Sequence, residues 1–193
     1  LAGDVKYVDR NGDGVVDDND RDIIGNPNPD FTYGFQTKVS WKSLSLSASF
    51  NGVQGRDILN VGNRYNNTPG TKSNNVTRKA FQNMWTDENP SNLYPKSTFV
   101  VQNMVMDRYV EDGSYLRCSD ITLSYVLPAK WTNKIGIKNT SVYASVKNAF
   151  VITDYSGYDP EVNSFAFDGL RPGVDMNSYP TPRSFVFGLN LTF

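Results

Sequence analysis

Apolar and polar residues alternate with a period of two in five stretches of this chain. In residues 184–193, Phe185, Phe187, Leu189, Leu191 and Phe193 fall on one side, and Ser184, Val186, Gly188, Asn190 and Thr192 on the other. Residues 31–41 set Phe31, Tyr33, Phe35, Val39 and Trp41 against Thr32, Gly34, Gln36, Lys38 and Ser40. Residues 43–50 set Leu44, Leu46, Ala48 and Phe50 against four serines. In residues 115–127, Ile121, Leu123, Tyr125 and Leu127 oppose Cys118, Asp120, Thr122 and Ser124. In residues 140–152 the apolar set Val142, Ala144, Val146, Phe150 and Ile152 is interrupted by Asn148. Successive side chains of an extended backbone point to opposite faces, so each stretch predicts a β-strand with one oily and one polar face.

The connections form a second pattern. Only Lys42 separates the first two stretches, which predicts a tight hairpin. Long segments follow the second and fourth stretches, and the shorter 128–139 joins the third to the fourth, starting at Pro128, which has no N–H to give to a ladder. Short connections alternating with long ones put turns at one rim and loops at the other, as in outer-membrane barrels with periplasmic turns and extracellular loops. A tilted membrane strand needs about 9–11 residues, and these stretches are about that long. Phe31, Trp41, Phe50, Tyr115 and Phe193, with Trp131 past one turn, suit interfacial aromatic girdles at the strand ends. Five strands cannot close alone, because the smallest membrane barrels have about eight and an open edge in lipid leaves backbone polar groups unpaired. The expected fold is therefore all-β: antiparallel strands of a large transmembrane β-barrel with long extracellular loops. Residues 1–30 are expected as an extracellular loop, and residues 31–193 as five barrel strands with extracellular loops at about 52–114 and 153–183.

Composition narrows the chemistry. A formal net charge of -1 gives no basic footprint for nucleic acid. No run of about 18 apolar residues marks a membrane helix, and the opening Leu1-Ala2-Gly3-Asp4 has no signal-peptide pattern, so an exported protein would carry its signal upstream. With no histidine and one cysteine, Cys118, neither a Ser-His-Asp nor a Cys-His arrangement, a disulfide framework or a cysteine-rich zinc site can be built. The acidic residues lie mostly in the expected loops and no two stand out as a hydrolase pair. Neither an enzyme nor an organic cofactor is expected.

Residues 9–20 carry the sharpest local motif. Against a calcium loop of about twelve residues, Asp9, Asn11, Asp13, Asp17 and Asp20 fall at the side-chain ligand positions, the Val15 carbonyl supplies another oxygen, and Gly14 sits at the sharp turn. Calcium favours such oxygens, and clustered carboxylates repel one another without a cation. Asp20 stands where an EF-hand has a bidentate Glu, a shorter arm closer to dockerin-type loops. The loop aromatics Tyr155, Tyr158, Phe165, Phe167 and Tyr179 are candidates for stacking on sugar rings or peptide side chains.

The segments 4–35, 107–117, 155–163 and 179–193 resemble, in this order, the SusC/RagA family of TonB-linked outer-membrane transporters. Characteristic among them are Asn26-Pro27-Asn28-Pro29-Asp30-Phe31, Asp112-Gly113-Ser114-Tyr115-Leu116-Arg117 and Tyr179-Pro180-Thr181-Pro182-Arg183. The resemblance implies the C-terminal strands of a roughly 22-stranded barrel in the outer membrane of a Gram-negative bacterium, its lumen plugged by an N-terminal domain. It further implies energy from TonB through N-terminal parts absent from these residues, a SusD-like lipoprotein lid, and import of oligosaccharides or oligopeptides. Phe193 resembles the terminal aromatic that barrel-assembly machinery reads. The rival expectation is a secreted, calcium-stabilised β-sandwich that binds glycans, whose oily faces would press against a second sheet.

Overall fold

The computed structural model describes residues 1–68, 75–97, 105–132, 137, 139–161 and 163–192. Its strands are β1 (Phe31–Trp41), β2 (Leu44–Gln54), β3 (Asp57–Asn60), β4 (Val110–Asp112), β5 (Tyr115–Val126), β6 (Asn139–Thr153), β7 (Val174–Asp175) and β8 (Ser184–Thr192). Three short helices join them: α1 (Val61–Asn67), α2 (Arg78–Asn83) and α3 (Ala129–Thr132). Among the described residues no helix is long and apolar enough to cross a membrane, which leaves crossing by strands open.

The strands make two sheets. One is five-stranded and antiparallel in the order β1-β2-β5-β6-β8, and the other has three strands in the order β4-β3-β7, with β3 and β7 parallel. All five alternating stretches fall in the larger sheet. Trp41 faces Leu44 across the first hairpin, and Lys42 turns the chain in the left-handed region at φ 53° with its ammonium 4.8 Å from the centre of the Trp41 ring.

Two irregularities explain where the alternation falters. Phe50 pairs with Cys118 while Ser49 pairs with Asp120, so Ser119 is an extra residue in β5. A one-residue bulge reverses the parity of a strand. Cys118 therefore shares its face with Phe50 and Phe150, and not with Asp120 as simple alternation predicts, and it is buried. In β6, Lys147 pairs with Asp120 and Phe150 with Cys118, which leaves Asn148 and Ala149 over. Two extra residues preserve parity, so the apolar set continues past the interruption. Asn148 takes φ 51° and its side-chain amide donates to the Pro182 carbonyl at 3.0 Å. One aromatic expected at a strand end lies elsewhere, since β2 runs on to Gln54 and leaves Phe50 inside the strand; Tyr115 does begin β5 but is buried on the polar face.

The chain divides into two compact units. The sheet unit comprises residues 28–56, 112–161 and 179–193. The second unit comprises residues 1–27, 57–111 and 162–178, drawn from the three segments expected as loops. Ile58, Ala80, Met106 and Tyr109 are buried in it, and its sheet is tied by Asp57 N–H to the Asn26 carbonyl and Leu59 N–H to the Gly173 carbonyl, both at 2.8 Å. Gly173 has φ 70°, and a Cβ there would lie 2.6 Å from Pro27 Cβ, so this close approach requires glycine.

Candidate membrane interface and sheet rim

Cross-strand partners share a face of a sheet, so register shows whether the separate oily faces join. They do. Trp41, Leu44, Tyr125, Val142 and Leu189 form one row, and Val39, Leu46, Leu123, Ala144 and Phe187 the next. Thr37, Ala48, Ile121, Val146 and Phe185 form a third. Beyond these, Phe35 stacks on Phe50 at 4.5 Å and Phe50 meets Phe150 edge-on at 6.3 Å.

This continuous apolar face is exposed, with Phe187 78% and Trp41 68% accessible. Soluble monomers rarely expose an apolar patch of more than a few hundred Å². Fully burying a Val, Leu or Phe side chain is worth about 1.5–3 kcal/mol, so a face this wide needs an apolar solvent or a partner sheet. The sheet unit contains no second sheet among the described residues, which removes the packing that the β-sandwich expectation requires.

The opposite face is polar. Asp120 accepts from Lys147 Nζ at 2.7 Å, Ser145 Oγ at 2.7 Å and Thr122 Oγ1 at 2.8 Å. Ser40 and Ser45 hydroxyls meet at 2.8 Å, and the Tyr143 ring lies across Gly188, where a Cβ would come within 2.2 Å of it. Polar groups satisfied among themselves on one side, and hydrocarbon bare on the other, are what a wall between lipid and a wet lumen needs.

At the Tyr115 end of β5, Arg117 Nη2 donates to Asp159 Oδ1 at 2.5 Å, with the two side chains only 6% and 4% accessible. Arg117 Nε lies 2.8 Å from Glu161 Oε2, an ion pair without a hydrogen bond between the two atoms. Asp159 also accepts from the backbone N–H of Glu161 at 2.9 Å and of Thr181 at 3.0 Å. One carboxylate thus fastens two loop segments to the strand. Burial alone would raise the Asp159 pKa; the Glu161 and Thr181 N–H groups and the Arg117 charge outweigh it and hold the carboxyl below its ordinary range. Nothing in the sequence around either residue indicates a partner 42 positions away.

In the acidic loop, Asp9 accepts from Gly12 N–H at 2.7 Å and Gly14 N–H at 2.8 Å, and Asp13 from Val15 N–H at 2.8 Å. Asn11 Oδ1 accepts from Asp13 N–H at 2.9 Å, and Asp17 from Asn19 N–H at 2.8 Å. Asp20 receives Arg10 N–H and Asp17 N–H, each at 2.8 Å. The N–H groups of Asp17 and then Arg10 hold the Asp20 carboxyl below its ordinary range. Gly12 and Gly14 supply the two left-handed turns, at φ 76° and 83°. Among the described residues no group of three or more acidic or cysteine side chains is gathered closely enough to hold a metal ion.

The loop aromatics separate. Tyr155, Tyr158 and Tyr179 lie in the sheet unit, and Phe165 and Phe167 in the second unit. Tyr155 is buried, its ring packed over Gly157, while Tyr158, Phe167 and Tyr179 are exposed. Phe165 lies under the Arg171 guanidinium at 5.5 Å. Phe193 lies outside the described residues.

No protein-family model matches the chain. The TonB-dependent receptor P26 of Formosa agariphila is 34% identical over 201 residues, which cover 100% of this chain and 20% of the receptor. The TonB-dependent receptor SusC of Bacteroides thetaiotaomicron is 34% identical over 194 residues, or 97% of this chain and 17% of SusC. Among solved structures, the RagAB peptide importer in its closed-closed state matches with a TM-score of 0.73 and 30% identity over 86% of this chain and 17% of that one. The chain spans about a fifth of the length of the curated relatives it matches. Their names are those of receptors and importers, and none is that of an enzyme.

Proposed function

We propose, from the premise that this chain is a SusC/RagA-like barrel segment, that it forms five strands of the wall of an outer-membrane transporter in a Gram-negative bacterium. The observation that carries the reading is the apolar face, exposed and in register across all five strands. The transporter imports oligosaccharides or oligopeptides, draws energy from TonB through its other parts, and works with a SusD-like surface lipoprotein. Residues 52–114 and 153–183 face outward and meet that partner.

Two experiments test this reading. The full receptor should fractionate with the outer membrane, and deleting its gene should abolish uptake of oligosaccharides or of oligopeptides; unchanged uptake of both would refute import. Pull-down of the receptor should bring a SusD-like lipoprotein with it, and deletions within 52–114 or 153–183 should weaken that capture.

The calcium reading of residues 9–20 rests on the spacing of its oxygens. A carboxylate oxygen that accepts one N–H, as both Asp9 oxygens do, keeps a second lone pair for a cation. Calcium titration of the full receptor, followed by protease protection of this loop, should show protection lost in D13N/D17N; protection independent of calcium would reject the reading.

A further inference from the structure

The second unit holds a cavity of about 220 Å³ lined by Asn63, Asn67, Lys79, Leu93, Tyr94, Arg108 and Tyr109. Two cations and no carboxylate border it. Neither Lys79 nor Arg108 forms an ion pair among the described residues. Arg108 is held in place instead: Nη2 donates to the Leu93 carbonyl at 2.8 Å, and the guanidinium sits 5.5 Å from the centre of the Tyr109 ring. Tyr109 is in turn fixed by a 3.1 Å hydrogen bond between its hydroxyl and that of Thr68.

The amides are also ordered. Asn63 Nδ2 donates to Glu111 Oε1 at 2.8 Å and Asn60 Nδ2 to the same oxygen at 3.0 Å, which fixes both amides and places one carboxylate behind the Asn63 side of the wall. Asn67 Nδ2 donates to Asn63 Oδ1, and Thr77 Oγ1 to Asn67 Oδ1. A pocket lined by two cations, one of them held by its own hydrogen bond, with ordered amides and no carboxylate among its lining residues favours an anion, because ligand charge meets the Arg108 guanidinium with little reorganisation.

We propose that this cavity binds the carboxylate of an organic ligand, with Lys79 and Arg108 as its cationic contacts and Tyr94 and Tyr109 flanking the ligand's body. The tyrosines and Leu93 argue against a bare inorganic ion, since they give a solvated sphere nothing to gain. The volume is below the roughly 300–1,000 Å³ of pockets that enclose drug-sized ligands, so it takes one residue or one sugar unit of a larger molecule. Either a peptide C-terminus or a uronic acid presents this group. The site stands on its own chemistry and does not require that the receptor imports.

The test is calorimetry on the full receptor in detergent with inorganic phosphate and four organic probes: N-acetyl-dialanine, its C-terminal amide, glucuronic acid and glucose. At least one acid should bind roughly tenfold more tightly than its neutral counterpart, the worth of one hydrogen bond to a charged group. Whichever acid binds identifies the source of the carboxylate. R108Q and K79Q should each remove that preference while leaving the heat-modifiable gel mobility of the folded barrel unchanged; K79R should retain it. Equal binding of acids and neutral probes, no binding of either acid, tighter binding of inorganic phosphate, or an acid preference that survives R108Q/K79Q in folded receptor would each overturn the site. Uptake measured on the same variants separates this failure from failure of the import reading.

Discussion

The two units of this chain bury different mixtures of side chains, and only the sheet leaves a continuous apolar face in the open. In the second unit Ile58 and Ala80 are fully enclosed, as water requires of hydrocarbon. In the sheet unit Arg117, Asp159, Ser145 and Thr140 are buried while Phe185, Phe187, Leu189 and Leu191 stand in the open. Hydrophobic burial is a statement about the solvent, so the difference means the sheet expects hydrocarbon on one side and the second unit expects water.

Breaking the buried polar set of the sheet should have the largest effect. Arg117→Met leaves Asp159 buried with its charge uncompensated, and removing one partner of such a pair costs about 3–5 kcal/mol. Unfolding of the full receptor by denaturant in lipid should report the loss; Arg117→Met with Asp159→Asn should recover part of it, because the second change removes the stranded charge. The pair also predicts an acid limit. A carboxyl whose folded pKa lies below its ordinary 3.8 favours the folded state above 3.8 and loses that contribution as the pH falls through the lowered value. Wild-type receptor should therefore lose stability below pH 3.8, and Asp159→Asn should flatten that part of the profile.

Next in size is the apolar core of the second unit. Ile58→Ala should cost about 2–5 kcal/mol there, the usual range for emptying a fully enclosed aliphatic site. Limited proteolysis should then open residues 57–111 while the heat-modifiable band of the barrel persists. If barrel and second unit instead fail together, they are not separately stabilised.

How far each unit could be read beforehand follows from the same contrast. Period two survives in the sheet because every strand faces lipid on one side only, and one five-residue row after another repeats it. Simple alternation misplaces Cys118 because the bulge at Ser119 carries no residue that announces it, unlike Asn148, whose polar side chain breaks the apolar set visibly. The second unit gave no periodic signal. Its strands are four, three and two residues long, too short for a pattern, and they are brought together from segments more than a hundred positions apart, such as Leu59 beside Val174. For the same reason the Lys79 and Arg108 pocket and the Arg117–Asp159 pair were invisible: each depends on pairing across long loops.

The smallest expected effect gives the cleanest contrast, because it uses two neighbours in one strand. Leu123 lies in the apolar row with Leu46 and Ala144, and Ser124 in the polar row with Ser45 and Tyr143. A lysine on the lipid face costs about 2–4 kcal/mol at the bilayer midplane, falling to about 0–1 near the interface, whereas the lumen side tolerates charge. Leu123→Lys should therefore lower stability of the full receptor in lipid within that range and reduce the amount assembled in the membrane. Ser124→Lys should change neither, as its longer side chain stays among hydroxyls and water. Should the two substitutions behave alike, the sheet has the same solvent on both faces, and the contrast between the units disappears with it.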